Sequence, residues 1–162
     1  MLKKLALTVA VVVVFVSVVP ELDAQSRRGD TRIGLGFGTP NTVLVVRPHP
    51  FDFKVGYDFT EGNQFVYLAG DLRFVNQQPL AEPVHFSLGF GGYTKFYMDS
   101  EAGSDDFFEG GLRLPVGLSL LLLDDFLEIF VEVSPGIDLY PKPQFSDDPV
   151  QAWLGFTLDT TL

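Results

Sequence analysis

The amino-acid sequence predicts an all-β fold, an eight-stranded antiparallel up-and-down transmembrane β-barrel over residues 25–162, behind a signal peptide at 1–24. Three observations carry that expectation. From Arg32 onward apolar and polar residues alternate with a period of two, the period of a strand with two different faces. Clusters of Pro, Gly, Asn and Asp separate the alternating segments and read as turns. Hydrophobic residues make up 46% and aromatics 14% of a chain that is 20% charged, yet no apolar run after the leader is long enough for a membrane helix.

The leader has three parts. Lys3 and Lys4 give a basic start, Leu5 to Val19 is almost wholly apolar, and Ala24 follows Pro20 as a cleavage point. That is the layout of a secretory signal peptide, and its apolar core of about 15 residues is shorter than the ~20 that a spanning helix needs. Removing Lys3, Lys4, Glu21 and Asp23 with the leader leaves the net charge at −10. So acidic a chain lacks the basic face that nucleic acid requires. The chain has no cysteine, which excludes a lipoprotein anchor, a disulfide framework and a thiolate metal site.

The strands follow in order. In Arg32–Gly38 the apolar face is Ile33, Leu35 and Phe37, opposed by Arg32 and three glycines. Thr42–Pro48 is the weakest, because Val43 to Val46 is apolar on both faces. In Phe51–Phe59 the odd positions are apolar and the even ones are Asp52, Lys54, Gly56 and Asp58. In Phe65–Asn76, Val66, Leu68, Leu72 and Phe74 oppose Tyr67, Ala69, Asp71 and Arg73. Val84, Phe86, Leu88 and Phe90 then alternate with His85, Ser87, Gly89 and Gly91. Leu112 to Leu122 alternates with Gly111, Arg113, Pro115, Gly117 and Ser119, and Leu127 to Ile137 with Glu128, Phe130, Glu132, Ser134 and Asp138. The last strand, from Val150, sets Leu154, Phe156 and Leu158 against Gln151, Trp153 and Thr157. Turn signals include Pro79 to Pro83, Ser100 to Asp106, Asp124-Asp125 and Pro141 to Pro149.

Alternation alone also fits a soluble lipocalin-like barrel with its apolar face inward. The polar face here mixes glycines with Tyr67, Tyr93, Phe130 and Trp153, as a crowded eight-stranded interior requires. The apolar face carries no charge in the clear strands, as a lipid-facing band requires. Phe51, Phe59, Phe65, Phe74, Phe96, Phe107, Phe108 and Tyr140 sit near strand ends, where aromatics suit a membrane interface.

The runs Ile33 to Pro40 (IGLGFGTP), Tyr67 to Phe74 (YLAGDLRF), Leu88 to Gly92 (LGFGG), Gly111 to Leu118 (GLRLPVGL) and Leu127 to Gly136 (LEIFVEVSPG) together resemble the small OmpA-like outer-membrane barrels of spirochaetes. The resemblance covers nearly all of the mature chain. It implies location in a bacterial outer membrane after export, and a fold with no assigned biochemical activity. The chain ends on Thr160-Thr161-Leu162, whereas outer-membrane barrels often end on an aromatic.

The inward charges form the candidate site: Asp52, Lys54, Asp71, Arg73, Arg113, Glu128, Glu132 and Asp138, with Arg32 and Glu109 on the same face. Eight strands leave room only for side chains, so these charges are expected to pair as a plug rather than line a pore. A two-residue turn at Asp124-Asp125 makes paired numbers sum to 249, setting Leu120 opposite Ile129 and Arg113 diagonal to Asp138. The connection after Thr60 makes paired numbers of 51–60 and 65–74 sum to 125, setting Lys54 opposite Asp71 and Asp52 opposite Arg73.

No cofactor, metal or catalytic residue is expected. Glu101, Asp105, Asp106, Asp147 and Asp148 fit no EF-hand spacing and read as solvated loops. His85 and Ser87, with Glu82 nearby, hold the pieces of a membrane-embedded hydrolase or acyltransferase without a third group at a recognisable spacing. The expected partners are outer-membrane lipid and extracellular proteins meeting the loops 99–107 and 141–149, with no nucleic acid.

Overall fold

The structure, a computed structural model, describes residues 31–59, 64–98, 107–141 and 143–160, with 144–149 as backbone only. The leader at 1–24, most of the loop 99–107 and the acidic groups at 101–106 lie outside the described residues.

Among the described residues the regular structure is almost all strand. In chain order the elements are β1 (Thr31–Thr39), β2 (Val43–Pro48), β3 (Phe51–Asp58), β4 (Phe65–Ala81), β5 (Val84–Tyr97), β6 (Phe108–Arg113), β7 (Val116–Leu122), β8 (Leu127–Tyr140) and β9 (Gln144–Asp159). The nine strands form one antiparallel sheet. Successive strands pair except β6 with β7, which both lie between β5 and β8, and β9 returns to pair with β1, so the sheet closes into a ring and each described strand has a partner on both sides.

The count is nine rather than the expected eight because the segment 111–122 is two strands, broken at Leu114-Pro115. Pro115 has no N–H to give the ladder. β6 and β7 both lie between β5 and β8, and the gap is bridged by Leu114 N donating to Pro135 O at 3.0 Å and Gly89 N donating to Pro115 O at 2.9 Å. The register therefore survives the break. Leu118 faces Val131 and Leu120 faces Ile129, and Arg113 faces Gly136, all on the expected sum of 249.

Other bounds shift too. β4 runs to Ala81, past a series of register shifts between Arg73 and Ala81, so Pro79 to Ala81 is strand and the turn is Glu82-Pro83 alone. Residues 144–149, expected in a long loop, belong to β9, with Phe145 opposite Ile137; that connection shrinks to 141–143.

The faces follow the alternation. Ile33, Phe37, Leu118, Val131, Val133 and Leu154 are exposed on the outside, while Lys54, Arg113, Glu128, Glu132, Tyr67 and Trp153 are buried within the ring. Phe65 departs from expectation. It is buried against Tyr97, with Lys95 Nζ 5.8 Å from its ring centroid, and does not sit at an outer rim.

Close packing inside the ring depends on glycine at particular places. A Cβ on Gly155 would fall 2.7 Å from the Phe130 ring and 2.2 Å from Leu35 O, so no other residue lets Phe130 lie there.

Candidate functional site

The interior is a charge network. β2 brings in Arg47, β3 Asp52 and Lys54, β4 Asp71 and Arg73, β6 Arg113, and β8 Glu128 and Glu132. The strand period of two puts each of them on the inner face. Lys54 Nζ lies 3.1 Å from Asp52, 3.5 Å from Asp71 and 3.0 Å from Glu132. Arg73 bonds Asp52 and reaches Glu132 at 3.2 Å. Arg113 grips Asp71 with two nitrogens, Nε to Oδ1 at 2.8 Å and Nη2 to Oδ2, the fork geometry that suits a carboxylate. Its Nη1 donates to Tyr67 OH at 2.9 Å and Gln151 Oε1 at 3.1 Å.

Arg47 completes the set, with Nε to Asp52 at 3.0 Å, Nη1 to Glu128 at 3.1 Å and its guanidinium 4.0 Å above the Phe130 ring. Thr157 Oγ1 donates to Glu128 at 2.8 Å, and Ser134 Oγ to Glu132 at 3.1 Å. Four cations (Arg47, Lys54, Arg73, Arg113) thus meet four carboxylates (Asp52, Asp71, Glu128, Glu132). Equal numbers matter here, because a buried charge without a partner is severely destabilising.

Seven of the eight expected network residues are gathered in this way. Asp138 is buried but stands apart and accepts a hydrogen bond from Tyr93 OH. The expected approach of Arg113 to Asp138 does not occur, since Asp71 takes the guanidinium.

The register of β3 on β4 also differs. Paired numbers sum to 123, not 125, so Asp52 faces Asp71 and Lys54 faces Ala69. The reason is the connection: β3 ends at Asp58, opposite Phe65, leaving 59–64 between them, two residues longer than the loop 61–64. A slip of two keeps every side chain on its own face, so the apolar pattern is indifferent to it. Lys54 Nζ, within 3.5 Å of both opposed aspartates, offsets their repulsion, and Arg73 and Arg113 each hold one of them. The expected ion partners still meet, along the diagonal.

Arg47 and Lys95 escaped the sequence reading. Arg47 follows the buried Val43 and Val45 at the same parity, but the apolar outer positions of that strand mask the alternation. Lys95 continues the inner face of His85, Ser87 and Tyr93 and pairs with Glu109 at 2.9 Å; the parity alone points to it.

The hydrolase pieces are not assembled. His85 Nδ1 lies 3.1 Å from Pro83 O and its strand partner is Ser119, while Ser87 faces Gly117 and Glu82 is exposed in the turn. Among the described residues no group of three or more His, Asp or Glu side chains is placed to hold a metal ion.

Residues 23–158 match the model of DUF3996, described as a protein family of unknown function. The chain belongs to the DUF3996 family. Neither the curated proteins nor the solved structures compared with it contain a match. For this DUF3996 member the geometry of the ring is therefore the main guide to function.

Proposed function

We propose that this DUF3996 protein is a non-enzymatic outer-membrane β-barrel, exported by its cleaved 1–24 leader and held in lipid by eight staves. β6 and β7, end to end between β5 and β8, count as one stave broken at Pro115. The observation that carries the reading is the inversion of polarity. The outside presents Ile33, Phe37, Phe90, Leu118, Val131 and Leu154, and the inside holds eight paired charges. A soluble fold places these sets the other way, whereas lipid demands an apolar outer band and a ring without edges.

The two ends of the ring support it. Thr31 and Asp159 lie at one end with the connections 49–50, 82–83 and 123–126, and the other end carries 40–42, 59–64, 98–107 and 141–143. Short turns on the periplasmic side and longer connections outside are the habit of such barrels. At the second end Phe96 packs on Phe107 and Phe108, and Phe108 on Tyr140, in the manner of an interfacial aromatic girdle. The likeness to OmpA-like spirochaete barrels belongs to this same proposal. Its role would be to anchor the envelope and to offer the connection 98–107 to extracellular proteins.

A lipocalin-like carrier needs an apolar lumen, and the ring is filled instead by ion pairs and by Tyr67, Trp153 and Phe130. Cell fractionation tests the proposal. The native protein should stay in the outer membrane through carbonate and urea washes and run faster on gels unheated than boiled. Release into the soluble fraction would overturn it.

A further inference from the structure

The charge network is tightly paired at its centre and more loosely at its termini end, where Arg32 stands 3.8 Å from Asp159. There a cavity of about 20 Å³ opens among Arg32, Arg47, His49, Arg73, Asn76 and Glu128. Three guanidinium groups and one imidazole thus meet a single carboxylate. That carboxylate is already engaged, with Thr157 Oγ1 at 2.8 Å and Arg47 Nη1 at 3.1 Å. Arg73 is occupied by Asp52 and Glu132.

Arg32 has the loosest ion partner of the three. It is 6% exposed, and its Nη2 bonds the carbonyl of Asp125, while the carboxylate of Asp159 stands off at 3.8 Å. Its Nη1 is buried and makes no hydrogen bond among the described residues. A buried cationic N–H without an acceptor is unfavourable. At the rim, Asn76 Nδ2 lies 2.9 Å from His49 Nδ1. The His49 ring thus adds its nitrogens to the lining of the cavity.

We infer that this mouth of the ring is a binding site for one small monatomic anion of the halide class, held chiefly by Arg32. The sign follows from the lining, which is rich in committed and uncommitted donors and poor in acceptors. The size suits a single small ion: about 20 Å³ exceeds the roughly 10–15 Å³ that one water-sized body needs. The site depends on the geometry of β1, β2, β4 and β8 and is independent of whether the ring stands in a membrane.

The test is the ³⁵Cl NMR line width of chloride titrated into the folded protein at fixed ionic strength, with gluconate as the replacement anion. The expected result is excess broadening that bromide removes and phosphate does not. Arg32→Gln should weaken chloride binding about tenfold, the scale of one charged hydrogen bond. His49→Phe, which leaves every ion pair of the ring in place, should weaken it by a smaller factor and serves if Arg32→Gln does not fold. Absence of broadening in the native protein, equal displacement by phosphate, or binding unchanged in both variants would overturn the site.

Discussion

Lys54 Nζ on β3 lies 3.0 Å from Glu132 Oε1 on β8, joining two strands that share no backbone pairing. Glu132 is also within 3.2 Å of Arg73 and 3.6 Å of Arg113, so one carboxylate serves cations from β3, β4 and β6. Backbone ladders tie each strand only to its neighbours; this contact crosses the interior.

Glu132→Gln should therefore be costly, by about 3–5 kcal/mol, because it leaves buried cations in excess. Lys54→Met should cost a similar amount through the opposed Asp52 and Asp71. The double variant restores the charge balance, and its loss should fall short of the summed single losses by about 0.5–3 kcal/mol. Urea midpoints of the four proteins check this. Strict additivity would mean that the two residues are not coupled.

The register of β3 on β4 gives a second test. Val55 faces Leu68, whereas a sum of 125 would put Val55 opposite Gly70. The chain has no cysteine, so an engineered pair reports without interference. Directly opposed Cα atoms are about 4.5–5.5 Å apart, within disulfide range. Val55→Cys with Leu68→Cys should cross-link readily, and Val55→Cys with Gly70→Cys should not. The reverse outcome would restore the other register.

These two cases show what an alternating sequence can and cannot say. Inward placement of Asp52, Lys54, Asp71, Arg73, Glu128 and Glu132 was legible, because a period of two assigns faces directly. The β7–β8 register was legible as well, because a tight turn at Asp124-Asp125 leaves little freedom. The β3–β4 register was not, since slips of two residues leave the faces unchanged and the connection sets the choice. Nor was Arg113's partner, since its choice of Asp71 over Asp138 rests on how β6 and β4 approach through the interior. Arg47 was hidden by a strand whose outer positions are as apolar as its inner ones.

The β7–β8 turn carries its own strain. Leu123, Asp124 and Asp125 have φ of 57°, 54° and 68°, and an aliphatic residue adopts that region at a cost of roughly 1–2 kcal/mol. Leu123 is 70% exposed and loses little packing on truncation. Leu123→Gly should then raise stability by up to about 1 kcal/mol once the added freedom of the unfolded chain is allowed for. A lower unfolding midpoint would show that Leu123 packs against something in place.

Glycines of neighbouring strands should differ sharply. A Cβ on Gly91 would lie 2.2 Å from both Gly70 O and Asp71 Oδ1, whereas one on Gly70 meets only the Phe53 ring at 3.4 Å. Gly91→Ala should cost about 1–3 kcal/mol, the range for overpacking, and also disturb the grip of Arg113 on Asp71. Gly70→Ala should change stability by no more than about 0.5 kcal/mol. Equal effects on the midpoint would contradict the packing of β5 on β4.

The outer band supplies the measurement that separates lipid from water. Val133 is 41% exposed in the middle of β8, between Val116 on β7 and Ala152 on β9. Ile129 and Val131 extend the apolar band toward one end, and Ile137 and Leu139 toward the other. If water covers this surface, Val133→Arg places a charge in solvent and should shift stability by no more than about 0.5 kcal/mol. If hydrocarbon covers it, the same substitution should cost about 2–4 kcal/mol near the bilayer midplane and fall toward 0–1 kcal/mol at the interface. Arginine scanned along 129, 131, 133, 137 and 139, with folding measured in lipid vesicles, should therefore give a profile peaking at 133. No change of inner packing produces that shape, because all five side chains point away from the charge network. A flat profile within experimental scatter would mean that the band is not facing lipid.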